Sequence, residues 1–316
     1  MKMKPAALAA LICAGAFVLF ALLGLGVWIL YETNGRHFGF SFGNFSGWGL
    51  GPVTEYTVDE TREALPEGIT RVVISDVSCP ITLVSGGDSI TARLAGDCTT
   101  SGDPLTLEMR TQGGTLTFDV KYPRNGLRRN NCSLTITVPE SYTGALEIDN
   151  VSGEIDAAEL SCTLDAVRIE TVSGGCFFPY VEAGSVDFNS VSGDLEYDGS
   201  ITGGLKANTI SGSIRADAVA GPIETESVSG SITLTVDRLD EIHCESTSGR
   251  VTLYLPSDAA FSLDFHSISG RLSNDFPVVI TSGGSSRSDI AGDVAGGGAR
   301  IRIETVSGGA DIRERP

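Results

Sequence analysis

The chain has 316 residues, a formal net charge of −18 and an apolar content of 41%, so it can form one or two domains with a sizeable core. The negative charge disfavours nucleic acid as a partner, because nucleic-acid recognition requires a basic surface. It also disfavours tight contact with anionic lipid headgroups.

The first 31 residues predict a membrane anchor. Lys2 and Lys4 precede an uncharged, mostly apolar run from Pro5 to Tyr31, which exceeds the roughly 20 helical residues that cross a bilayer. A cleavable signal peptide is the alternative, but the run is longer than a typical h-region and lacks a suitable cleavage site before a mature start. We expect an uncleaved single-pass helix in the cell membrane, with a cytoplasmic N-terminus and the repeats outside the cytoplasm.

Residues 32–52 combine many glycines with five aromatic residues, Phe38, Phe40, Phe42, Phe45 and Trp48. This composition predicts a linker beside the membrane. The rings either lie in the lipid interface, where aromatic side chains partition well, or are part of a flexible tether.

Residues 53–140 keep a β pattern without a regular period. Two alternating segments flank Gly113-Gly114, which indicates a hairpin, and residues 133–138 predict a further strand. Arg124, Arg128 and Arg129 form a basic cluster that could bind an anionic polymer, although a solvated loop is the commoner case. We expect an irregular β cap and the first coils of the array that follows.

Residues 141–316 repeat a Ser-Gly pair that follows a β-branched residue. Its glycines are Gly153, Gly174, Gly193, Gly212, Gly230, Gly249, Gly270 and Gly308. Their spacings are 21, 19, 19, 18, 19, 21 and 38 residues, and the last is twice 19. Self-similarity at a short fixed period is typical of a solenoid, in which one unit stacks on its copies.

With each glycine as position 0, positions −7, −5, −2, +2 and +4 are apolar at 37 of 40 places. The residues between them are polar, and alternation with a period of two is typical of strands. Between −5 and −2 stand two consecutive polar residues, such as Asp149-Asn150, which predict a bend. The predicted fold class is therefore all-β, a parallel β-helix or β-solenoid with coils of about 19 residues, preceded by the transmembrane helix.

The repeated glycine falls on the inward phase of this pattern. Either the interior has no room for a side chain, or the backbone needs a positive φ. A ninth copy around Ser78 carries Cys79 in place of the glycine, and cysteine tolerates a tight slot better than a positive φ. We therefore favour the steric explanation.

The C-terminal part of the array is less regular. Residues 273–300 span two periods and contain one weak copy, Ile290-Ala291-Gly292, so an extended loop or a degenerate coil is expected there. The chain then ends in charged residues and Pro316, which discourage pairing of an exposed strand edge.

Position −4 offers the best candidate for a functional row of side chains. Its members are Asp149, Glu170, Asn189, Asn208, Glu226, Glu245, His266 and Glu304. The row is either a solvated face or a series of weak divalent-cation sites with oxygen ligands. His243 and His266 occupy outward positions in consecutive coils, and neither Lys206 nor Arg168 is expected beside a dense acidic cluster.

The residues indicate no enzyme chemistry. The serines at position −1 are expected to bond to one another and to the turn backbone rather than to attack a substrate. Cys79, Cys176 and Cys244 are inward fillers, while Cys98 and Cys132 are the pair that could form a disulfide in an exported chain. No catalytic, cofactor-binding or metal-ligating residue is predicted, and no cofactor.

The repeated Val-Ser-Gly motif, found in residues 149–153, 170–174 and 304–308, resembles the bacterial adhesin-like β-helix family of unknown function that includes LiaG-like envelope proteins. The resemblance covers roughly residues 70 to 316. It implies a membrane-anchored or exported β-solenoid that is often associated with cell-envelope stress loci, and it supplies no catalytic residues.

These patterns together predict a non-enzymatic, extracytoplasmic scaffold or binding module of the bacterial cell envelope, with an envelope component or a membrane protein as its partner. Two alternatives remain open. One is a polysaccharide-processing β-helix enzyme, and the other is a regulatory partner of a membrane sensor.

Overall fold

The computed structural model describes residues 53–123, 126–282 and 288–315. The elements that it assigns in these ranges are all strands, and the ranges contain no helix long and apolar enough to cross a membrane. The predicted anchor (1–31), the predicted linker (32–52) and Arg124 of the basic cluster lie outside the described residues, while Arg128 and Arg129 lie on a short strand.

The strands follow one another closely along the chain. In chain order they are β1 (Thr54–Ala64), β2 (Arg71–Ser75), β3 (Ile81–Ser85), β4 (Ile90–Thr100), β5 (Thr106–Gln112), β6 (Thr115–Lys121), β7 (Leu127–Asn130), β8 (Ser133–Val138), β9 (Ala145–Asp149), β10 (Ile155–Glu159), β11 (Thr163–Thr171), β12 (Cys176–Phe178), β13 (Glu182–Ser190), β14 (Leu195–Tyr197), β15 (Leu205–Thr209), β16 (Ile214–Ala220), β17 (Ile223–Ser227), β18 (Ile232–Arg238), β19 (Ile242–Ser246), β20 (Val251–Leu255), β21 (Phe261–Ser267), β22 (Leu272–Asn274), β23 (Val278–Ser282), β24 (Asp289–Val294), β25 (Ala299–Thr305) and β26 (Ala310–Glu314).

These strands form two long sheets that enclose the core between them. The first runs β1-β4-β8-β3-β10-β12-β14-β16-β18-β20-β26-β22, with β7 paired to β4, and the second runs β23-β24-β21-β25-β19-β17-β15-β13-β11-β9-β2-β6-β5. From β9 onward, each regular coil places one strand in the second sheet, turns at the Ser-Gly corner and places the next strand in the first sheet. The strands β2 and β3 do the same around Ser78-Cys79, whereas β4–β8 and β23–β24 include antiparallel pairs. The prediction of an all-β fold with stacked parallel coils is thus confirmed.

The apolar positions on the two inner faces fill the core. Phe188 at −5 and Tyr197 at +4 are fully buried, and Tyr197 stacks on Phe178 of the neighbouring coil with ring centroids 5.6 Å apart. The Tyr197 hydroxyl donates to the Val181 carbonyl at 3.0 Å, so the one polar atom of this ring is satisfied.

The corner differs from the predicted pattern by one residue. Position −3, which the pattern placed outside, is buried in every copy, as Asn150, Thr171, Ser190, Thr209, Ser227, Ser246, Ser267 and Thr305. All of these side chains except Thr171 bond to the glycine of the corner. The Thr209 hydroxyl accepts from Gly212 N at 3.0 Å, and the Ser227 hydroxyl donates to Gly230 O at 2.9 Å. The apolar residue at −2 is instead partly or largely exposed. A tight corner leaves backbone groups inside that need polar partners, so a small hydroxyl is buried there in preference to a valine.

The outward serines at −1 bond to the preceding coil, as expected for the turn backbone. Ser192 Oγ donates to Val172 O at 3.2 Å, and Ser211 Oγ donates to Val191 O at 3.3 Å. The corner is therefore tied together on its inner side by position −3 and on its outer side by position −1.

The corner glycines stack directly on one another. A Cβ on Gly212 would lie 2.6 Å from the carbonyl carbon of Gly193, and its copies would collide with the equivalent carbonyl groups. Of the eight corner glycines only Gly174 has a positive φ, and Cys79 does not have one. The steric explanation is confirmed.

The coils at both ends stack out of sequence order. The strand β25 lies between β19 and β21, and β26 lies between β20 and β22, so the final coil is inserted between two earlier ones. At the other end, β2 lies between β6 and β9. The weak copy at residues 290–292 is not a parallel coil, because β24 pairs antiparallel with both β21 and β23.

Candidate functional site

The outer face of the second sheet carries two parallel rows of mostly charged side chains, and we call it the charged face. The row at position −4 runs, in spatial order, through Asp149, Glu170, Asn189, Asn208, Glu226, Glu245, Glu304 and His266. The candidate row therefore exists, but Glu304 stands between Glu245 and His266 because its coil is inserted. His243 and His266 consequently lie two strands apart rather than on adjacent coils.

The row at position −6 alternates in sign along most of its length. In spatial order it reads Glu147, Arg168, Asp187, Lys206, Glu224, His243, Arg302 and Asp264. Opposite charges directly across a ladder attract, whereas like charges repel. Lys206 and Arg168 thus lie among acidic residues, contrary to the expectation from sequence.

The ion pairs within this row are exposed and contribute little to stability. Lys206 Nζ lies 3.1 Å from Glu224 Oε2, with both side chains about half exposed, and Arg168 Nη1 lies 3.9 Å from Asp187 Oδ2. Exposed pairs of this kind are worth about 0–1 kcal/mol. The charges are accordingly available to a partner at small cost to the fold.

A shallow groove of about 460 Å³ crosses the charged face where β13, β15, β17 and β19 begin. Asp187, Lys206, Glu224 and His243 line its charged side. Gly203 and Gly204 line its backbone side, where a Cβ on Gly203 would lie 2.5 Å from Gly184 O. Glycine thus keeps adjacent coils in close contact along one side of the groove.

A compact cluster of His243, Glu245 and Glu304 lies at the end of this groove. His243 Nε2 is 3.1 Å from Glu245 Oε1 and 3.9 Å from Glu304 Oε2, and Arg302 Nη2 donates to Glu304 Oε1 at 2.6 Å. Contact with Glu245, and then with Glu304, raises the pKa of His243 to about 9. His243, followed by Arg302, lowers the pKa of Glu304 to about 2 even though burial opposes this.

Other carboxyl groups on the charged face have raised pKa values. Burial raises the pKa of Asp149 to about 7, and repulsion by Glu147 and Glu170 adds to the effect. Burial also raises the pKa of Glu226, with repulsion from Glu245. These two positions hold negative charge that their surroundings do not fully compensate.

A buried polar cluster near the first coil was not foreseen from sequence. Tyr122 Oη donates to Asp76 Oδ1 at 2.8 Å and lies 3.1 Å from Cys79 Sγ, while Asp76 Oδ2 accepts from Cys79 N at 2.7 Å. Burial, reinforced by Asp76, raises the pKa of Cys79 to about 12. A thiol with that pKa is a poor nucleophile at neutral pH, so we interpret the cluster as structural. Asp76 and Cys79 stand at positions −3 and 0 of their copy, so their bond repeats that of the later corners, but no spacing in the sequence connects Tyr122 with them.

The six cysteines of the described residues are buried free thiols, so the candidate bridge between Cys98 and Cys132 is not formed. Burial, with Cys98 as the next cause, raises the pKa of Cys132 to about 11. Thiols in this state react slowly with oxidants and electrophiles.

Comparison with known proteins agrees with this architecture. The Toastrack DUF4097 family matches residues 84–313, which is more than two thirds of the chain, and this match confirms the resemblance carried by the Val-Ser-Gly repeat. No curated protein matches the chain.

Three solved structures align over most of the chain at low identity. A "putative adhesin" from Bacteroides fragilis NCTC 9343 is 13% identical, covers 81% of this chain and 97% of its own, and gives a TM-score of 0.49. A "putative cell adhesion protein" from Clostridium sporogenes ATCC 15579 is 11% identical, with coverages of 82% and 100% and a TM-score of 0.28. A "putative adhesin" from Parabacteroides distasonis ATCC 8503 is 11% identical, with coverages of 84% and 98% and a TM-score of 0.31.

Proposed function

The chain belongs to the Toastrack DUF4097 family, and from this premise we propose that it is a non-enzymatic, adhesin-like scaffold of the bacterial cell envelope. The charged face is the surface that binds an envelope component or a membrane protein. The observation that carries this proposal is the unbroken pair of side-chain rows across the parallel coils of the second sheet.

The solenoid makes these rows a rigid template. Neighbouring coils are spaced about 4.8 Å apart by ladder hydrogen bonds, and the corner bonds at positions −3 and −1 restrict each coil further. A partner that meets pre-ordered charges loses less conformational entropy on binding than one that must order them. The face therefore suits a long or repetitive partner that presents both positive and negative groups.

The chemistry of the described residues favours binding over catalysis. The thiols of Cys79, Cys132 and Cys244 have pKa values raised to about 12, 11 and 12, mainly by burial. The serines at −1 donate to backbone carbonyls of the preceding coil, as Ser211 does to Val191. Neither residue type is activated in the way that a covalent mechanism requires.

The proposed location rests on the sequence. An apolar helix over residues 1–31 would hold the rod at the outer surface of the cell membrane, with residues 32–52 as the tether. A role in envelope stress belongs to the same proposal. If the chain instead regulated a membrane sensor, its partner would bind the anchored protein and not depend on the charged face.

Charge reversal at matched positions tests the proposal. The full-length protein in detergent is incubated with isolated envelope fractions, and the retained amount is measured as salt concentration rises. Lys206→Glu breaks the alternation on the charged face, whereas Arg215→Glu makes the same change on the first sheet, at a side chain equally exposed (50% and 53%).

We expect Lys206→Glu to reduce retention at least fivefold and Arg215→Glu to change it less than twofold, because exposed charges act mainly through their local field. Equal effects of the two variants, or retention insensitive to both, would contradict the assignment of the binding face. Release of soluble sugars from the envelope fraction by the wild type would show instead that the protein is an enzyme.

A further inference from the structure

We propose that His243, Glu245 and Glu304 bind one divalent transition-metal ion, of which Zn²⁺ is the representative. The three ligand atoms, one imidazole nitrogen and two carboxylate oxygens, all lie within 4.8 Å of one another. Imidazole with carboxylate is a donor set that zinc and its first-row neighbours accept. The site lies on the charged face, but the inference does not rest on the partner-binding role, because metal binding is measured on the protein without a partner.

The backbone fixes the three side chains in place. His243 and Glu245 are two residues apart on β19 and share its outer face, while Glu304 stands directly across from Glu245 on β25. The side chains are moderately or strongly shielded, with exposed fractions of 34%, 19% and 9% for His243, Glu245 and Glu304. A parallel ladder between two strands holds such positions more firmly than a loop would.

The orientation of the imidazole indicates an ion between the three ligand atoms. His243 Nε2 is fully shielded from solvent and has no hydrogen bond of acceptable geometry among the described residues, although Glu245 Oε1 is only 3.1 Å away. The nitrogen is therefore not directed at that oxygen. A tetrahedral ion with bonds of about 2.0–2.1 Å needs its ligand atoms roughly 3.3 Å apart and each ligand directed at the ion rather than at the others.

Arg302 acts as an outer partner of the site. Its Nη2 donates to Glu304 Oε1 at 2.6 Å, which leaves Oε2 as the oxygen that faces His243. Hydrogen bonds of this kind to the second oxygen orient ligating carboxylates in metal sites.

The local charge is suited to a dication. Glu226 stands opposite Glu245 and Glu224 opposite His243 across the β17–β19 ladder, and Asp264 stands opposite Arg302. Carboxylates therefore outnumber the guanidinium of Arg302 around the site, and a divalent cation would offset part of this negative charge. Arg168 and Glu170 occupy the same two positions in another coil, but their ladder neighbours include no histidine, so that coil provides a natural control.

The ion would join the inserted coil to the body of the rod. Glu304 belongs to the final coil, while His243 and Glu245 belong to the coil on which it packs. A ligand that binds only the folded state stabilises that state. Metal binding should therefore raise the stability of the C-terminal end of the solenoid.

The test uses untagged full-length protein in detergent, stripped with a chelator and titrated with zinc sulfate by calorimetry. We expect one Zn²⁺ per chain, at least tenfold weaker affinity in both His243→Asn and Glu245→Gln, and less than twofold change in Glu170→Gln. The zinc-dependent rise in the thermal midpoint should disappear in the first two variants and persist in the third. Circular dichroism checks that each variant is folded.

Cobalt(II) substitution identifies the ligand types. Visible d–d bands without a thiolate charge-transfer band support nitrogen and oxygen ligands. The proposal is overturned by the absence of stoichiometric binding to the wild type, by unchanged affinity in His243→Asn and Glu245→Gln, or by a thiolate band, which would place the ion on cysteines.

Discussion

Replacement of a single corner glycine by alanine should destabilise the whole rod. In Gly212→Ala the new methyl group would lie 2.6 Å from the carbonyl carbon of Gly193 and nearer still to its oxygen, whereas ordinary contacts lie at 3.4–4 Å. The two coils must therefore separate by about 1 Å at this point. No side-chain rotation relieves the clash, because both groups belong to the backbone or are directly attached to it.

The size of the destabilisation follows from the backbone hydrogen bonds between the two coils on either side of the clash. Ser211 N donates to Val191 O at 3.0 Å, and Leu195 N donates to Ser213 O at 2.9 Å, so a separation of about 1 Å takes both beyond hydrogen-bonding distance. Each lost bond costs about 0.5–1.5 kcal/mol, and a buried group left without a partner costs about 1–3 kcal/mol. We therefore expect Gly212→Ala to lower the free energy of unfolding by about 3 kcal/mol or more.

Gly175→Ala is the matched control. Gly175 directly follows the corner glycine Gly174, two coils before Gly212. A Cβ on Gly175 meets no atom within 4 Å, and its φ is not left-handed. Its replacement should be neutral or stabilising by up to about 1 kcal/mol, because alanine restricts the unfolded chain.

Urea denaturation followed by circular dichroism measures both variants against the wild type. Because coils can unfold in groups, the midpoint and the slope of each transition are compared together. We expect the free energies of unfolding of Gly212→Ala and Gly175→Ala to differ by about 3 kcal/mol. If they differ by less than about 0.5 kcal/mol, the stacking argument for the corner glycine is wrong.

Two further pairs of substitutions test the corner and the charged face. Thr209→Val should lower the free energy of unfolding, measured by urea denaturation, by about 1–2 kcal/mol, because Gly212 N loses its buried acceptor. Thr171→Val should be neutral or stabilising, since Thr171 Oγ1 has no partner among the described residues. A larger loss of stability in Thr171→Val than in Thr209→Val would refute the role given to position −3. The pKa of Asp149 is raised from 3.8 to about 7, so the folded state binds more protons than the unfolded state between these values and stability falls as pH rises through them. Asp149→Asn should accordingly be more stable than the wild type by up to about 4 kcal/mol at pH 8 and equally stable near pH 3. Thermal midpoints measure the effect, and Asp88→Asn, a change at an exposed turn, is the control. A gain in stability that does not vary with pH would contradict the assignment.

The periodic apolar pattern is what made the fold predictable from sequence. Positions −7, −5, +2 and +4 are occupied by residues such as Val186, Phe188, Leu195 and Tyr197, whose burial is the main driving force for folding. The glycine stack was also predictable, because Cys79 in the first copy separated a steric cause from a torsional one.

The corner could not be predicted from hydrophobicity alone. Threonine is polar, yet the hydroxyl of Thr209 is buried because it satisfies a backbone group inside the turn. Valine is apolar, yet Val191 is only half-buried because the chain turns there. The apolar pattern therefore predicted the bend one residue too early.

The order of the coils was also beyond the sequence pattern. Near-identical copies satisfy the same periodicity in any stacking order, so nothing in the motif indicates that the coil of Glu304 lies beside that of Glu245. The 38-residue spacing between Gly270 and Gly308 signalled an irregularity but not its form. The cluster around His243 depends on that insertion and was consequently missed.

The inserted final coil has a mechanical consequence. In a sequentially stacked solenoid the last turn is bonded along one side and can peel away strand by strand. Here the strands of the last turn, Ala299–Thr305 and Ala310–Glu314, are bonded along both sides. Tension applied near Glu314 must shear two ladders at the same time, so these two strands should resist fraying.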